Sequence, residues 1–197
     1  TGETAWEFNA GQPIASSPAV IDGVVYFGSD NRRVYALDAI TGKVRWSYLT
    51  GGRVLSDPAL NDEVVAITSL DGYLYLIDIK TGKRRLDYIF SYFRVSPAFV
   101  DDYVYLADTR GFITAVDWRQ REKPFEKAAR KVRFHFYIWG WVDTAPHQKG
   151  LAWRSRHEED SFVATPAVDS ERRYVGSKSG TFFALDRLNG EEYWTFD

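Results

Sequence analysis

Residues 16–48 read SSPAVIDGVVYFGSDNRRVYALDAITGKVRWSY, and residues 56–88 read SDPALNDEVVAITSLDGYLYLIDIKTGKRRLDY. The two stretches align without a gap, and each consists of short apolar runs separated by turn residues. Internal repetition of this kind is the signature of an architecture in which one unit cannot bury its apolar face alone. The chain is therefore predicted to contain stacked copies of one supersecondary unit.

Three markers extend the repeat over most of the chain. Each unit opens with a Pro-Ala pair, ends its third apolar run with an aspartate, and has a glycine before a fourth run. The prolines are Pro18, Pro58, Pro97 and Pro166; the aspartates are Asp38, Asp78, Asp117 and Asp186; the glycines are Gly2, Gly42, Gly82, Gly150 and Gly190. Four short strands per unit, joined by turns, predict an all-β propeller with about four four-stranded blades.

The composition fits this fold. Apolar residues make up 45% and aromatic residues 16% of the 197 residues, and aromatic side chains pack well on strands. A net charge of −2 gives no general support for nucleic-acid binding, and the lack of Cys excludes disulfides and thiolate metal sites. The chain also has no Met, which predicts that Thr1 is a processed end of a longer chain.

The recurring tryptophans are predicted to be packing residues between blades. Trp6, Trp46 and Trp194 follow a marker glycine by four residues, while Leu86 takes that place in one unit and Trp153 stands one position early in another. An indole buries a large area, and its N–H can reach a carbonyl.

The marker glycines and aspartates are predicted to be structural as well. Gly42, Gly82 and Gly190 are expected to adopt a turn conformation that a Cβ would oppose. The aspartate before each turn is expected to cap backbone N–H groups.

The stretch YALDAITGKVRW, residues 35–46, resembles the tryptophan-docking repeat of quinoprotein-like (PQQ-like) propellers. Families with this repeat include quinone-dependent dehydrogenases, the propeller lipoprotein of the outer-membrane assembly machine, and sensor ectodomains. In the dehydrogenases, the resemblance implies a quinone between a tryptophan and a disulfide, with a calcium ion held by carboxylates and amides. Since the chain has no Cys and no clustered Asp-Asn motif, no cofactor is predicted.

Family members usually have seven or eight blades. We expect residues 1–197 to form a single propeller or half-propeller domain with an extra leading outer strand at residues 1–8. A closed four-bladed ring would then have one strand too many. The count favours a half-propeller completed by more chain, by a partner or by a second copy.

An insertion at residues 118–149 interrupts the third unit and is the predicted partner-binding segment. It holds eight Lys or Arg against three acidic residues, a balance of +5 that leaves −7 for the rest. Alternating apolar residues over 132–138 predict an extended strand in a protruding hairpin. Aromatic and basic side chains are common interface anchors. The predicted contact residues are Arg130, Lys131, Arg133, Phe136, Trp139 and Trp141. The alternative is a segment that covers the edge of blade 3.

No catalytic or metal site is predicted. His135, His147 and His157 do not have the spacing of a metal-ligand motif, and no nucleophile-base arrangement can be argued. The chain is predicted to be a noncatalytic protein-binding scaffold in a periplasmic or other extracytoplasmic complex, a compartment that the resemblance implies. A membrane-associated complex and self-association are the partner options. A quinone-dependent dehydrogenase-like domain and a ligand-sensing ectodomain are the alternative functions.

Overall fold

The computed structural model describes residues 2–90, 95–157, 160–162, 164–169 and 171–197. These residues form four antiparallel sheets of four strands each and one helix. The first sheet is β1 (Ala19–Ile21), β2 (Val24–Gly28), β3 (Arg33–Asp38) and β4 (Val44–Leu49), and the second is β5 (Ala59–Leu60), β6 (Val64–Thr68), β7 (Tyr73–Asp78) and β8 (Arg84–Ile89). The third is β9 (Ala98–Val100), β10 (Tyr103–Ala107), β11 (Phe112–Asp117) and β12 (Leu151–Arg156), and the fourth is β13 (Ala167–Val168), β14 (Arg172–Gly176), β15 (Phe182–Asp186) and β16 (Glu192–Phe196). The helix is α1 (Glu126–Ile138). No helix in this part of the chain has the length and apolar character needed to cross a membrane.

The strands begin and end where the repeat markers predict. β1, β5, β9 and β13 each begin at the alanine of a Pro-Ala pair, and the third strand of every sheet ends at the marker aspartate. Val24 pairs with Asp38 as Val64 pairs with Asp78, so the first two sheets share one register. In each sheet the pairing register between the third and fourth strands shifts at the same position, which lies between Ala36 and Leu37 in the first sheet. The prediction of four-stranded propeller blades is confirmed.

The sheets stack side by side and do not close into a ring. β1 packs against β5, and β5 packs against β9. Apolar side chains from facing sheets fill each interface; Val34 and Ala36 of the first sheet, for example, share a buried cluster with Ile67 and Ile77 of the second. The described residues therefore form a partial propeller.

Tryptophans of one sheet dock on a turn of the next. The indole N–H of Trp46 donates to the carbonyl of Ile79 at 2.9 Å, and its ring lies against Gly82. An added Cβ at Gly82 would lie 2.8 Å from the ring, and the φ of +67° at this glycine is one that other residues rarely adopt. Trp153 docks on Gly190 in the same way. The glycine thus gives both the turn and the space for the indole.

Residues 2–10, which we call the N-terminal strap, lie over the first sheet without forming a strand. We expected a leading outer strand at residues 1–8, and this expectation was wrong for residues 2–8. An outer strand pairs with the third strand of its sheet, and no such strand of the described chain lies beside these residues. Thr1 lies outside the described residues. Trp6 still docks, because its indole N–H donates to the carbonyl of Ala39 at 2.9 Å and its ring lies against Gly42.

The marker aspartates cap the turns before the outer strands. The carboxylate of Asp78 accepts hydrogen bonds from the N–H and hydroxyl of Thr81, each at 2.9 Å, and from Arg85 at 2.6 and 3.0 Å. Burial alone would raise the pKa of Asp78, but the bonds from Arg85 and Thr81 outweigh it and lower the pKa to about 2. A hydrogen bond from Arg45 and bonds from Thr41 likewise lower the pKa of Asp38.

The cap at Asp78 predicts a loss of stability in acid. The unfolded pKa of an aspartate is about 3.9, so the lowered folded pKa adds stability above about pH 4 that is lost as the pH falls through about 2. We expect Asp78→Asn to lower the thermal midpoint most at neutral pH and hardly at all near pH 2. Thermal unfolding measured as a function of pH checks this, with the exposed Asp62→Asn as the control. A constant difference across that range would contradict it.

A buried arginine crosses the interface between the third and fourth sheets. Arg173 is fully buried, and its guanidinium carbon lies 3.7 Å from the centre of the Tyr105 ring. It donates to the Tyr105 hydroxyl and to the carbonyl of Asp186, while its Nε has no acceptor among the described residues. Burial lowers the pKa of Arg173 to about 10. The equivalent residues of the other three sheets are Val25, Val65 and Val104.

Candidate functional site

The insertion between β11 and β12 forms a helix and two loops instead of a hairpin. α1 covers Glu126–Ile138, so the prediction of an extended strand over residues 132–138 was wrong. The first half of the helix, EKAARK, consists of good helix formers. No described strand lies beside this segment to pair with it, so helical hydrogen bonds satisfy its backbone.

Local hydrogen bonds mark the start and the end of α1. At the start of the helix, the carboxylate of Glu126 accepts a hydrogen bond from the N–H of Lys123 at 2.8 Å, and the N-cap residue Phe125 provides no side-chain cap. At the other end, Gly140 has a φ of +72°, and the N–H of Trp141 donates to the carbonyl of Phe136 at 2.8 Å. This is a Schellman motif, which typically brings together the two side chains at the ends of that bond. It accounts for the contact between the rings of Phe136 and Trp141, whose centres are 5.3 Å apart.

The insertion covers the outer edge of the second sheet. The N–H of Glu122 donates to the carbonyl of Arg85, and the side-chain amide of Gln148 bonds to both the N–H and the carbonyl of Ile89, at 2.8 and 3.2 Å. A strand edge is thereby capped, as one alternative reading of the sequence proposed. The covered edge belongs to blade 2, so the assignment to blade 3 was wrong. The insertion lengthens the turn between β11 and β12 of the third sheet, and the turn at this position in each sheet lies against the outer strand of the preceding sheet.

A change in the docking residue accompanies the insertion. Leu86 of β8 replaces the tryptophan of the other units, and its side chain lies against Gly150 at the end of the insertion. Leucine has no N–H to donate to the turn of the third sheet. No indole therefore docks on the turn between β11 and β12, and this is the turn that the insertion lengthens.

An ionic network fastens α1 to β8. The carboxylate of Asp87 is only 4% exposed and contacts Lys127 of α1 and Arg84, the latter at 2.8 Å. Glu122, also buried, accepts from Arg130 at 3.0 Å. Arg130 therefore points toward the sheets, and the structure does not place it with the other predicted contact residues.

These contacts predict that Gln148→Ala loosens the insertion without unfolding the sheets. Loss of the two bonds to Ile89 costs about 1–2 kcal/mol of local stability, so we expect about a tenfold rise in tryptic cleavage within the insertion under native conditions. The thermal midpoint should change little. Gln120→Ala, which removes an exposed side chain of the same type from the same insertion, is the control; equal cleavage of the two variants would contradict the edge cap.

The exposed end of the insertion brings three predicted contact residues together. Phe136, Trp139 and Trp141, which we call the aromatic tip, are in mutual contact with ring centres 5.3–6.4 Å apart. Trp139 is 59% and Trp141 69% exposed. Lys131 and Arg133 are exposed on the same helix and have no ion pair within the described part of the chain. Helical geometry also exposes Phe134 and Ile138, which the sequence interpretation did not select.

A polar groove of about 860 Å³ lies between α1 and the start of β12. Arg133, His147 and Lys149 are among its lining residues. The three histidines do not meet: His135 bonds to a helix carbonyl, His147 lies in the groove, and His157 packs on Phe183. The described residues contain no group of three or more His, Asp or Glu that could hold a metal ion.

The fold and the site define a partial propeller of tryptophan-docked sheets that carries a basic, aromatic insertion. The family model described as outer membrane protein assembly factor BamB matches residues 1–128, and the chain belongs to this family. The resemblance to quinoprotein-like repeats is thereby confirmed. Curated protein sequences gave no match to the chain.

Several solved structures share the fold. BamB from Moraxella catarrhalis superposes with a TM-score of 0.66 at 19% identity, and the quinohemoprotein alcohol dehydrogenase ADHIIG from Pseudomonas putida HK5 with 0.69 at 18%. Each comparison covers 98% of this chain, which spans 64% of the BamB chain and 35% of the dehydrogenase chain. The computationally designed Ika4 protein matches with a TM-score of 0.68 at 15% identity, over 94% of this chain and 99% of its own. One fold thus serves an assembly factor and enzymes, and function has to be argued from the site.

Proposed function

We propose that the chain is a noncatalytic binding scaffold that holds a protein partner on the aromatic tip. The observation that carries the proposal is the exposure of two tryptophans that contact each other, on an insertion that also exposes Lys131 and Arg133, two cations with no ion pair among the described residues. Large aromatic side chains bury much area on binding and lose little conformational entropy, so they often dominate binding energy. Lys131 and Arg133 would add attraction to an acidic rim on the partner.

The contacts that attach the insertion to β8 support a binding role for the aromatic tip. The Gln148 cap and the Asp87–Lys127 contact hold the insertion on β8, and a surface held in place before binding loses less entropy when a partner docks. A loose loop with the same residues would bind more weakly. Membership in a family named for an assembly factor supports a place in a larger envelope complex, and we assign the scaffold to the periplasm or another extracytoplasmic space on that basis.

The dehydrogenase alternative requires residues that the described chain does not supply. The resemblance implies a calcium ion held by clustered carboxylates and amides beside a quinone. The described residues hold no group of three or more His, Asp or Glu that could bind a metal ion, and the sequence has no Cys for the disulfide. The proposed function therefore includes no redox step.

Photo-crosslinking tests the proposal. A crosslinking amino acid at position 139 is expected to trap one defined protein from native envelope extracts, to be identified by mass spectrometry and rebound in purified form. The variant Trp139→Ser with Trp141→Ser should lose this binding about 100-fold or more. Phe125→Ser removes an exposed aromatic ring from the other end of α1 and is the matched control.

Two results would overturn the proposal. One is equal binding by the tip variant and the control, which would mean that the insertion only caps β8. The other is a bound chromophore and dye reduction after addition of the quinone with calcium, which would favour the enzyme.

A further inference from the structure

The polar groove beside α1 has two walls that belong to the same insertion. One wall is a single face of the helix, with residues at helical spacing, namely Glu126, Ala129, Arg130 and Arg133. No residue of α1 is buried, so this face of the helix stays open to the groove. The other wall is the return segment, which we define as residues 144–149. The volume of about 860 Å³ is in the range of ligand sites.

A salt bridge fixes the distance between the two walls. The Nζ of Lys149 in the return segment contacts both carboxylate oxygens of Glu126 in α1, at 2.7 and 2.8 Å. The neighbouring Gln148 is bonded to Ile89, so the return segment is also attached to β8. The groove is therefore formed before a ligand arrives, and less conformational entropy is lost on binding.

The two acidic side chains that line the groove already accept hydrogen bonds. Glu126 is paired with Lys149, as described above. The carboxylate of Asp117 accepts from the N–H of Arg119 at 2.9 Å and from the side-chain amide of Gln120 at 3.1 Å. The acids of the groove are thus satisfied by groups of the chain itself, and they do not call for a cationic ligand.

The side chains left without a partner in the groove are hydrogen-bond donors. The guanidinium of Arg133 and the imidazole of His147 both line the groove, and neither has an acceptor in the described part of the chain. A guanidinium has five N–H donors in a planar fork, and an imidazole ring has an N–H donor in either protonation state. A carboxylate has only acceptors and fits the fork with two parallel bonds. The groove is therefore complementary to a carboxylate.

The backbone of the return segment adds donors that favour a peptide over a small anion. The N–H groups of Thr144, Ala145 and His147 donate to no acceptor among the described residues, and residues 145–148 form neither helix nor strand. All three residues line the groove. A peptide has one carbonyl at every residue and can pair with several of these N–H groups at once, as in other peptide sites that use main-chain hydrogen bonds.

We infer that the groove binds an acidic peptide segment, with a carboxylate of the peptide on Arg133 and His147 and its main chain along the return segment. The salt bridge between Lys149 and Glu126 holds the walls apart and is not itself a contact of the peptide. This site recognises charge and main chain, whereas the aromatic tip offers apolar rings. The inference does not depend on the proposed function, since it needs no contact with the tryptophans of the tip.

Fluorescence anisotropy with labelled synthetic peptides tests the inference. The probes are short peptides of alanine and leucine with glutamate placed at each position in turn, and the same peptides with glutamine in place of glutamate. We expect the intact chain to bind acidic members of the set about tenfold or more tightly than their glutamine forms. Binding of no member of the set, or equal binding of the two forms, would overturn the inference.

Two arginines of the insertion locate the site. Arg133→Gln should weaken binding of the acidic peptide about tenfold or more, because the fork on the carboxylate is lost. Arg121→Gln, which removes an exposed arginine of the same insertion outside the groove, is the matched control and should leave binding unchanged. Equal effects of the two variants would mean that the peptide is attracted only by the general charge of the insertion.

A charge exchange keeps the test independent of a simple loss of binding. Arg133→Glu should lose the acidic peptide and gain the peptide that has lysine in place of glutamate. Circular dichroism shows that the variant is folded. A folded variant that binds neither peptide would contradict the contact between Arg133 and the carboxylate.

Amide hydrogen exchange measured by NMR separates a peptide from a free carboxylate. Saturation with the acidic peptide should slow exchange at the N–H groups of Ala145 and His147 about tenfold or more, because these groups become hydrogen-bonded. Glutarate, a small dicarboxylate, should bind more weakly and leave their exchange unchanged. Glutarate binding as tight as that of the peptide, with no slowing by either, would overturn the peptide assignment and leave an anion site only.

Discussion

Trp46→Ala is expected to lower the free energy of unfolding by about 3–5 kcal/mol. The indole fills the space over Gly82, packs with the ring of Tyr26 at 5.7 Å, and gives its N–H to the carbonyl of Ile79. Alanine leaves a cavity between two sheets, and the carbonyl of Ile79 keeps only the long hydrogen bond from the Tyr26 hydroxyl at 3.5 Å. Chemical denaturation followed by circular dichroism measures the change.

Trp139→Ala is the matched comparison, because it removes the same side chain from an exposed position. Its effect on the free energy of unfolding should stay within about 0.5 kcal/mol. The pair of variants separates tryptophans that hold sheets together from tryptophans that are free to bind. Similar losses for the two variants would mean that the aromatic tip is part of the core.

Arg173→Met combined with Tyr105→Phe is expected to raise the free energy of unfolding by about 1–4 kcal/mol. The guanidinium is fully buried, and no carboxylate among the described residues pairs with it. Burial lowers its pKa to about 10, below the usual value, so the charge opposes folding at neutral pH. Methionine has a similar length and no charge. The carbonyl of Asp186 keeps a partner, since it also accepts from the N–H of Gly190.

Tyr105→Phe alone should have the opposite effect. Removal of the hydroxyl leaves a buried guanidinium N–H unpaired, which costs about 1–3 kcal/mol. Thermal and chemical unfolding of the two single variants and the double variant complete the cycle. A double variant less stable than either single variant would show that Arg173 contributes net stability.

The sequence repeat predicted the sheets because each sheet depends on local signals. The Pro-Ala pairs, the marker aspartates and the turn glycines act within one unit, and their equal spacing carries the register from Val24–Asp38 to Val64–Asp78. The packing of Trp46 on Gly82 also follows, since both positions recur together.

The structure of the insertion was harder to predict because its sequence fits both the two-residue period of a strand and the composition of a helix. The alternation over residues 132–138 fits a strand, but it spans less than two turns of helix and needs a partner strand to become one. The helix formers before it and Gly140 after it were the signals that favoured α1. Arg130 could not be placed from sequence, because its orientation depends on Glu122 and on a sheet edge formed more than thirty residues away. One long-range signal was present: Asp87 stands where Ser47 stands in the first unit.

Leu86 has a consequence for how this molecule can vary. At an indole-docked turn, a longer loop would have to displace a tryptophan and would weaken two sheets at once. At the turn of the third sheet, the smaller side chain removes that penalty, so sequence can be gained, lost or exchanged there while the repeat is kept. With leucine in place of the docked indole, the turn of the third sheet is the turn at which the length of the loop can change at the least cost to the packing between sheets.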